Sequence, residues 1–481
     1  MVPRAARSRY NRRRMATETP TVAVIGGGLS GALVAERLLR TSRSAIHVVV
    51  VDPRETLGAG LAYSTDRREH VLNVPSKSMS AVDGESDHFL VWLRGKGNAE
   101  AREWGASTDA NGFIPRGLYG SYVRQLLADA AQSAIPGVSF THERNVAIAL
   151  SVEAGRVRVV LKDQRTIDAG HAVLALGNPP PADPTSSDLP FYASPRYVRD
   201  AWGPEALQDI SSAAPVLVLG TNLTMIDVAL SLDQNGHRGT IVAISTHGLV
   251  PPPHRLPYEA IPPFLPIPGA ATRIQGLLRT VRERAGVASN QGHDWRAVMD
   301  AIRPHGQSVW LSLPEPERRR FFRHLRAYWE IHRHRAAPAA MEQVARLRAM
   351  GRLVIRAGRI SAFVERGRRV DVTFVERGGR GKQMTQAERV INATGPEMHY
   401  RRARDPLLRQ LLHDGWCRPG PMDLGFDATE DGAVVGANGK PSSILSTLGP
   451  PLRGVLWETT AVPEIRAQAA ALARRIVEAD P

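Results

Sequence analysis

Gly26, Gly28 and Gly31 stand in G-x-G-x-x-G spacing directly after the apolar run "TVAVI" (21–25). The first glycine of such a loop permits a tight turn. The second lets backbone amides approach a pyrophosphate, and the third lets the following helix pack close to the strand. The start of that helix offers unpaired N–H groups and a partial positive charge to the phosphates. A second apolar run, "IHVVVVD", ends at Asp52, 21 residues after Gly31. A carboxylate there can accept both hydroxyls of an adenosine ribose. With "YNRRRM" behind it, the first run could also be read as the apolar half of an export signal. Strand, glycines, helix, strand and terminal acid in register decide for a dinucleotide cradle.

The plan recurs, altered, at 214–246 in "APVLVLGTNLTMIDVALSLDQNGHRGTIVAIST". Here Gly220, Asn222 and Met225 replace the three glycines. Asn tolerates unusual backbone, but its side chain fills space that a pyrophosphate needs. Met225 is expected to push the helix off the strand. A site for NADPH or NADH would use Gly220, Asn222 and Thr224. No Arg holds the usual place for a 2′-phosphate, and His247 and Arg255 are the nearest substitutes. A degenerate domain kept for its packing is the alternative.

Between the two units, "GAGLAYS", "HVLNVP", "MS", "FIPRGLYGSYV" (113–123) and "LALGNPPP" (174–181) resemble a group of bacterial FAD/NAD(P)-binding proteins, as do "INATGP" (391–396) and "LGPPLRGVLWETTAVPEIRAQA" (448–469). The group is distantly similar to flavin-dependent monooxygenases, among them the ornithine and lysine N-hydroxylases. The resemblance implies FAD on Gly26, Gly28, Gly31, Asp52, Asn73, Val74 and Gly449, and places His70, Asn73, Pro75 and Met79 near the flavin. It names no catalytic side chain. "VLWETTAVPEIRAQAAALARRI" reads as strand, polar turn and long helix, with Thr459 and Thr460 at the entrance and Pro463 in the first turn. That helix start could face the flavin C2 carbonyl, which makes Thr459 and Thr460 further FAD residues; a simple capping helix is compatible with this.

The implied activity is that of an FAD-dependent oxidoreductase, foremost an NAD(P)H-dependent monooxygenase. It would form a flavin C4a-hydroperoxide with O2 and oxygenate a small amine or amino-acid substrate. A flavin-binding redox sensor or partner protein with a failed NAD(P)H site is the competing class, and a plain oxidase or dehydrogenase stays open within the enzymes. A disulfide reductase is excluded by the single cysteine, Cys417, as are a disulfide framework and a cysteine-rich metal site.

Residues 247–350 break from the nucleotide pattern. "GLVPPPHRLPYEAIPPFLPIP" is too proline-rich for regular helix or central strand. "SLPEPERRRFFRHLRAYWEIHRHR" then opens with capping-box spacing, Ser312 to Glu315, and sets Phe321, Leu325, Tyr328 and His332 on one helical face. Seven Arg and three His face three Glu over 311–335. This helix is either a solvated face with core aromatics, or a substrate wall on which Arg326, Trp329, His332 and Arg333 receive a carboxylate or other anion. No nucleic-acid module accompanies it, so nucleic acid is not an expected partner. His332 and His334 lie on different helical faces, and no metal is expected.

The 481 residues suffice for two or three domains. No run of about 18 uncharged apolar residues occurs, so no membrane span and a cytoplasmic place are expected. Much of the net charge of +15 sits in residues 1–14, with six Arg and no acid. Residues 1–20 are expected to be a disordered basic tail, with Met15 a possible true start and an address signal or nucleic-acid arm the alternatives. The expected fold is α/β: two Rossmann-like dinucleotide-binding domains with a helical insert. The FAD domain is discontinuous, over 21–185 and 391–481. The NAD(P)-binding-like domain covers 213–390, with its insert at 260–350. "HAVLALGNPPP" and "RVINATGP" mark the crossovers. Oligomeric state is not legible.

Overall fold

The structure is a computed structural model that describes residues 19–184, 190–203, 205–265, 273–379 and 381–479. The basic segment 1–14 lies outside the described residues.

The first strand, Thr21–Ile25, pairs in parallel with Ile46–Val51 on one side and His171–Leu174 on the other. Its Val and Ile side chains are buried on both faces of the sheet, and Ala23, Val24, Val48 and Val50 are fully enclosed. The full order is Ala433–Val435, Pro441–Thr447, His171–Leu174, Thr21–Ile25, Ile46–Val51, Val138–Glu143. All neighbours are parallel except the outermost pair, Ala433–Val435 with Pro441–Thr447. A strand near the end of the chain thus completes the sheet begun at Thr21. Helix Leu29–Thr41 shares one apolar core with the last helix, Val462–Ala479, through Leu33, Leu38, Ile465 and Leu472.

The second sheet runs Lys382–Ala387, Arg369–Glu376, Leu353–Arg366, Ile241–Ser245, Val216–Leu219, Arg389–Asn392, Tyr197–Val198. The last five are parallel neighbours; the first two form an antiparallel extension. This sheet reaches past 213–390 on both sides, taking Tyr197–Val198 before it and Asn392 after it. Helix Pro338–Ala349 packs on this sheet with Leu223–Gln234, through Val344 and Leu347 against Ile226 and Leu230. A third, antiparallel sheet of Ala147–Glu153, Arg156–Leu161 and Thr166–Ala169 was not anticipated from the sequence. Gln410 ties it to helix Pro406–His413 by bonding both backbone groups of Leu150.

The insert is helical, but not as one long basic helix. Glu315–His324 and Arg326–Arg333 are separate, with Leu325 between them at φ −118°, ψ −24°. The expected capping box is absent. Ser312 closes the preceding helix, Gly306–Ser312, and its hydroxyl donates to the Val309 carbonyl. Pro314 and Pro316 supply the helix start instead, since proline lacks the N–H that a cap would satisfy. Among the described residues, no helix is long and apolar enough to cross a membrane.

Candidate functional site

The three glycines of the first loop answer to different demands. Gly26 has φ +102°, and a Cβ on it would lie 2.4 Å from the Ala175 carbonyl oxygen. A Cβ on Gly31 would lie 1.8 Å from the Gly26 oxygen. The protein's own packing demands both. Gly28 has the extended values φ −72°, ψ −165°, and a Cβ there would meet only the Gly60 Cα, at an ordinary 3.4 Å. Among the described residues nothing requires glycine at Gly28, yet it lines a large cavity and begins a helix with no side-chain cap. Bare backbone beside uncapped N–H groups fits a bound pyrophosphate.

Asp52 sits at the expected strand end, 2 % exposed. Its carboxylate accepts the Gly27 N–H (2.7 Å) and the Arg54 N–H (2.9 Å), and the Arg54 guanidinium grips both oxygens at 3.0 Å. Arg54 lines the cavity, so a cation that sequence reasoning missed covers the acid meant for the ribose. Its only sequence signal is its place two residues after Asp52.

The cavity, of about 980 Å³, runs from Gly26 and Gly28 past Asn73, Val74, Pro75 and Met79 to Thr460 and Pro463. It continues to Arg303, Arg333, His334 and Arg335 of the insert, and touches Leu223 and Thr224 on the second nucleotide helix. Gly449 and Thr459 do not line it; they brace the turn entering the last helix. The Thr459 hydroxyl donates to the Gly449 carbonyl (3.2 Å) and accepts from Gln468 Nε2 (2.7 Å), whose Oε1 takes the Gly449 N–H at 2.8 Å.

His70 is not on the cavity. It is buried, with Nδ1 3.0 Å from the Thr65 hydroxyl and Nε2 2.8 Å from the Ser231 hydroxyl. Burial lowers its pKa. The resemblance places it near the flavin together with Asn73, and the structure does not. The chain between them turns, with His70 carrying its backbone carbonyl to the Arg116 N–H.

In the second loop, Gly220 (φ +110°) repeats the geometry of Gly26, its Cβ position 2.4 Å from the Ala393 oxygen. Asn222 has φ −94°, ψ −163°, close to Gly28. Its Oδ1 accepts the Leu223 N–H at 2.9 Å, so this helix carries its own cap. Met225 is fully buried in the second core. His247 packs edge-on to Tyr328 with centroids 5.9 Å apart, while Arg255 is 3.9 Å from Asp294 with its side chain 81 % exposed. Neither lines the cavity.

Of Arg326, Trp329, His332 and Arg333, only Arg333 reaches the large cavity. Arg326 lies 3.6 Å from Glu330. Trp329 and His332 line a separate, almost wholly apolar cavity of about 640 Å³ inside the insert. Phe321, Leu325, Tyr328 and His332, expected on one face, all line it despite the break at Leu325, whereas Arg333, on the same helix as Trp329, reaches the large cavity. Arg333 stands 3.3 Å from Glu458, whose other oxygen accepts Trp329 Nε1 at 3.0 Å. Residues with no prior signal complete the wall. Arg303 grips Glu464 (3.0 Å), and Arg335 bonds Asp300. His254 Nε2 donates to the Asn73 carbonyl at 2.9 Å. Burial, reinforced by the Arg335 charge, brings the His254 pKa down to about 4. Among the described residues, no cluster of His, Cys, Asp and Glu is arranged to hold a metal.

Residues 23–179 match the FAD-NAD(P)-binding family. An L-aspartate N-monooxygenase (nitrosuccinate-forming) of Streptomyces davaonensis is 28% identical over 274 residues, covering 48% of this chain and 41% of the relative. The chain thus spans less than half the length of that curated relative. Among solved structures, the ornithine N-hydroxylase of Kutzneria sp. 744 superposes with a TM-score of 0.61 at 14% identity, over 96% of this chain and 100% of that one. The cadaverine monooxygenase of Erwinia amylovora, solved with FAD, gives 0.62 at 13%, over 95% and 94%. The L-lysine 6-monooxygenase of Pseudomonas syringae gives 0.58 at 15%, over 96% and 98%. These likenesses show the fold, a mixed α/β architecture of two Rossmann-like domains.

Proposed function

We propose that the chain is an FAD-dependent oxidoreductase that uses NADPH or NADH and O2 to oxygenate the nitrogen of a small amine or amino acid. The observation that carries this is the single cavity joining the Gly28 cradle, the Asn73–Met79 stretch, the second nucleotide helix at Thr224 and the guanidinium wall of the insert. The aspartate, ornithine, cadaverine and lysine monooxygenases it resembles support the same reading.

When bound, FAD supplies the redox chemistry, taking hydride and handing electrons to O2. The chain's own residues bind and orient. Gly28 and the uncapped amides of Leu29–Thr41 hold the pyrophosphate, with Asp52 and Arg54 beside them at the adenosine end. Asn73, Pro75, Met79 and Thr460 line the space for the isoalloxazine. Among the described residues, Arg333 Nη2 and Arg335 Nε are buried donors without a hydrogen-bond partner, while Arg333 Nε faces Glu458. They suit a substrate carboxylate, because a charge-assisted bond would satisfy them. Apolar walls at Ala301, Ile261 and Val462 keep water from the reacting atoms.

The self-capped Asn222 favours one competitor, a flavin-binding sensor that does not take hydride from a nicotinamide. Incubation of FAD-loaded protein with NADPH, O2 and a panel of amino acids and diamines decides between them. The enzyme reading expects oxygen uptake together with an N-oxygenated product by mass spectrometry. Flavin that neither nucleotide bleaches in rapid mixing supports the sensor.

A further inference from the structure

Helix Leu223–Gln234 buries an apolar face in the second core and bears a polar stripe at four-residue spacing: Asp227, Ser231 and, one turn on, Asn235. Each meets a polar group of the first domain. Arg116 clasps Asp227 through both terminal nitrogens, at 2.9 and 3.3 Å. Ser231 donates to Glu69 Oε1 at 2.9 Å, so it accepts from His70 Nε2, leaving Nδ1 to accept from Thr65. Arg67 donates to Asn235 Oδ1 at 3.1 Å. The three rungs span about 12 Å of helix.

The Arg116 and Asp227 side chains are 13 and 9 % exposed. Arg116 is fixed further by donating from Nε to the Val71 carbonyl (3.0 Å) and by lying over the Trp202 ring at 5.2 Å. This first rung is the one that lines the cavity, together with Trp202, Thr224 and Asn73. The other rungs lead away from it. A slip by one helical turn would set the Asp227 carboxylate on the Glu69 carboxylate and strip Arg116 of its partner, so matched charge selects one register and penalises the next.

We infer that this ladder is a register key that seats the second domain on the flavin loop, with Arg116 and Asp227 as positioning residues for the nicotinamide end of the hydride donor. The inference rests on the proposed use of NADPH or NADH; the seating of the two domains does not.

The test uses full-length, FAD-loaded protein carrying Arg116→Ala, Asp227→Ala, or the exchanged pair Arg116→Asp/Asp227→Arg; Asp227→Asn serves where Asp227→Ala fails to fold. Flavin content and reduction by dithionite should match wild type. The limiting rate of flavin reduction by NADPH should fall by about tenfold or more in each single variant and recover in the exchanged pair, with the NADPH dissociation constant little changed. Single variants within twofold of wild type overturn the positioning role. Hydrogen exchange reads the seating without any nucleotide. Arg116→Ala should speed exchange in both 65–76 and Leu223–Gln234, and unchanged exchange overturns the ladder. If neither nucleotide reduces even wild type, the proposed function fails, and the exchange result alone judges the ladder.

Discussion

Gly28 and Asn222 occupy nearly the same backbone conformation at the head of the two nucleotide helices, so a side chain is what separates the sites. Gly28→Val should give folded protein that melts like flavin-free wild type, because a Cβ there borders only Gly60 among the described residues, yet carries no flavin absorbance. Gly31→Ala should instead unfold the domain, since its Cβ would sit against the Gly26 oxygen. Equal flavin content in Gly28→Val and wild type would refute the cradle. At the second loop, Asn222→Gly removes a cap, costing a few tenths of a kcal/mol, and bares the helix N-terminus. NADPH binding should tighten by roughly fivefold, near 1 kcal/mol. Titration in both proteins checks this, and an unchanged dissociation constant would mark the domain as vestigial.

At the scale of elements, the insert matters through what it holds. Glu458 stands one residue before the Thr459 turn and is gripped from the insert. Trp329 and Arg333 reach its carboxylate, and Gln307 donates to its carbonyl oxygen at 2.5 Å. Side chains of the Arg333–Glu458 pair are each 10 % exposed, so removing one partner strands a buried charge. Glu458→Ala should destabilise the protein by about 3 kcal/mol in denaturant unfolding. Glu458→Gln, which still accepts from Trp329, should lose less. If the two variants melt alike, the charge pair does not hold the turn.

Across the whole molecule, stability should depend on pH through histidines buried at joints. His171 bonds Ser446 (3.0 Å) between strands far apart in sequence, and burial, then the Arg475 charge, brings its pKa down to about 4. His254, also near 4, joins the insert to the first domain at Asn73. Both pKa values lie below the unfolded value near 6.5, so the unfolded chain takes up protons first as pH falls. The stability they contribute is complete above about pH 6.5 and is lost progressively toward pH 4. Melting temperature should therefore drop over that window. His171→Gln, able to keep the Ser446 bond, should flatten the drop, and a profile identical to wild type would show that His171 does not contribute.

Local order in the chain determined the cradle. A strand, three glycines, a helix and an acid lie within 32 residues, and their geometry follows from sterics at short range: positive φ at Gly26, no room for Cβ at Gly31. The two Rossmann-like units and the discontinuity of the first were legible for the same reason, each being a repeat of short apolar strands that end in glycine. What only the tertiary structure decided involves partners far apart in sequence. His70 lies three residues before Asn73 but bonds Ser231, so it serves the joint between domains and not the cavity wall. Arg54, by contrast, covers Asp52 from only two residues away, a local contact that the residue types alone did not reveal. Trp329 and Arg333 sit four residues apart on one helix, yet one lines the apolar cavity and the other the large one. Side-chain spacing assigns a residue to a face, but only the packing of whole elements determines what that face meets.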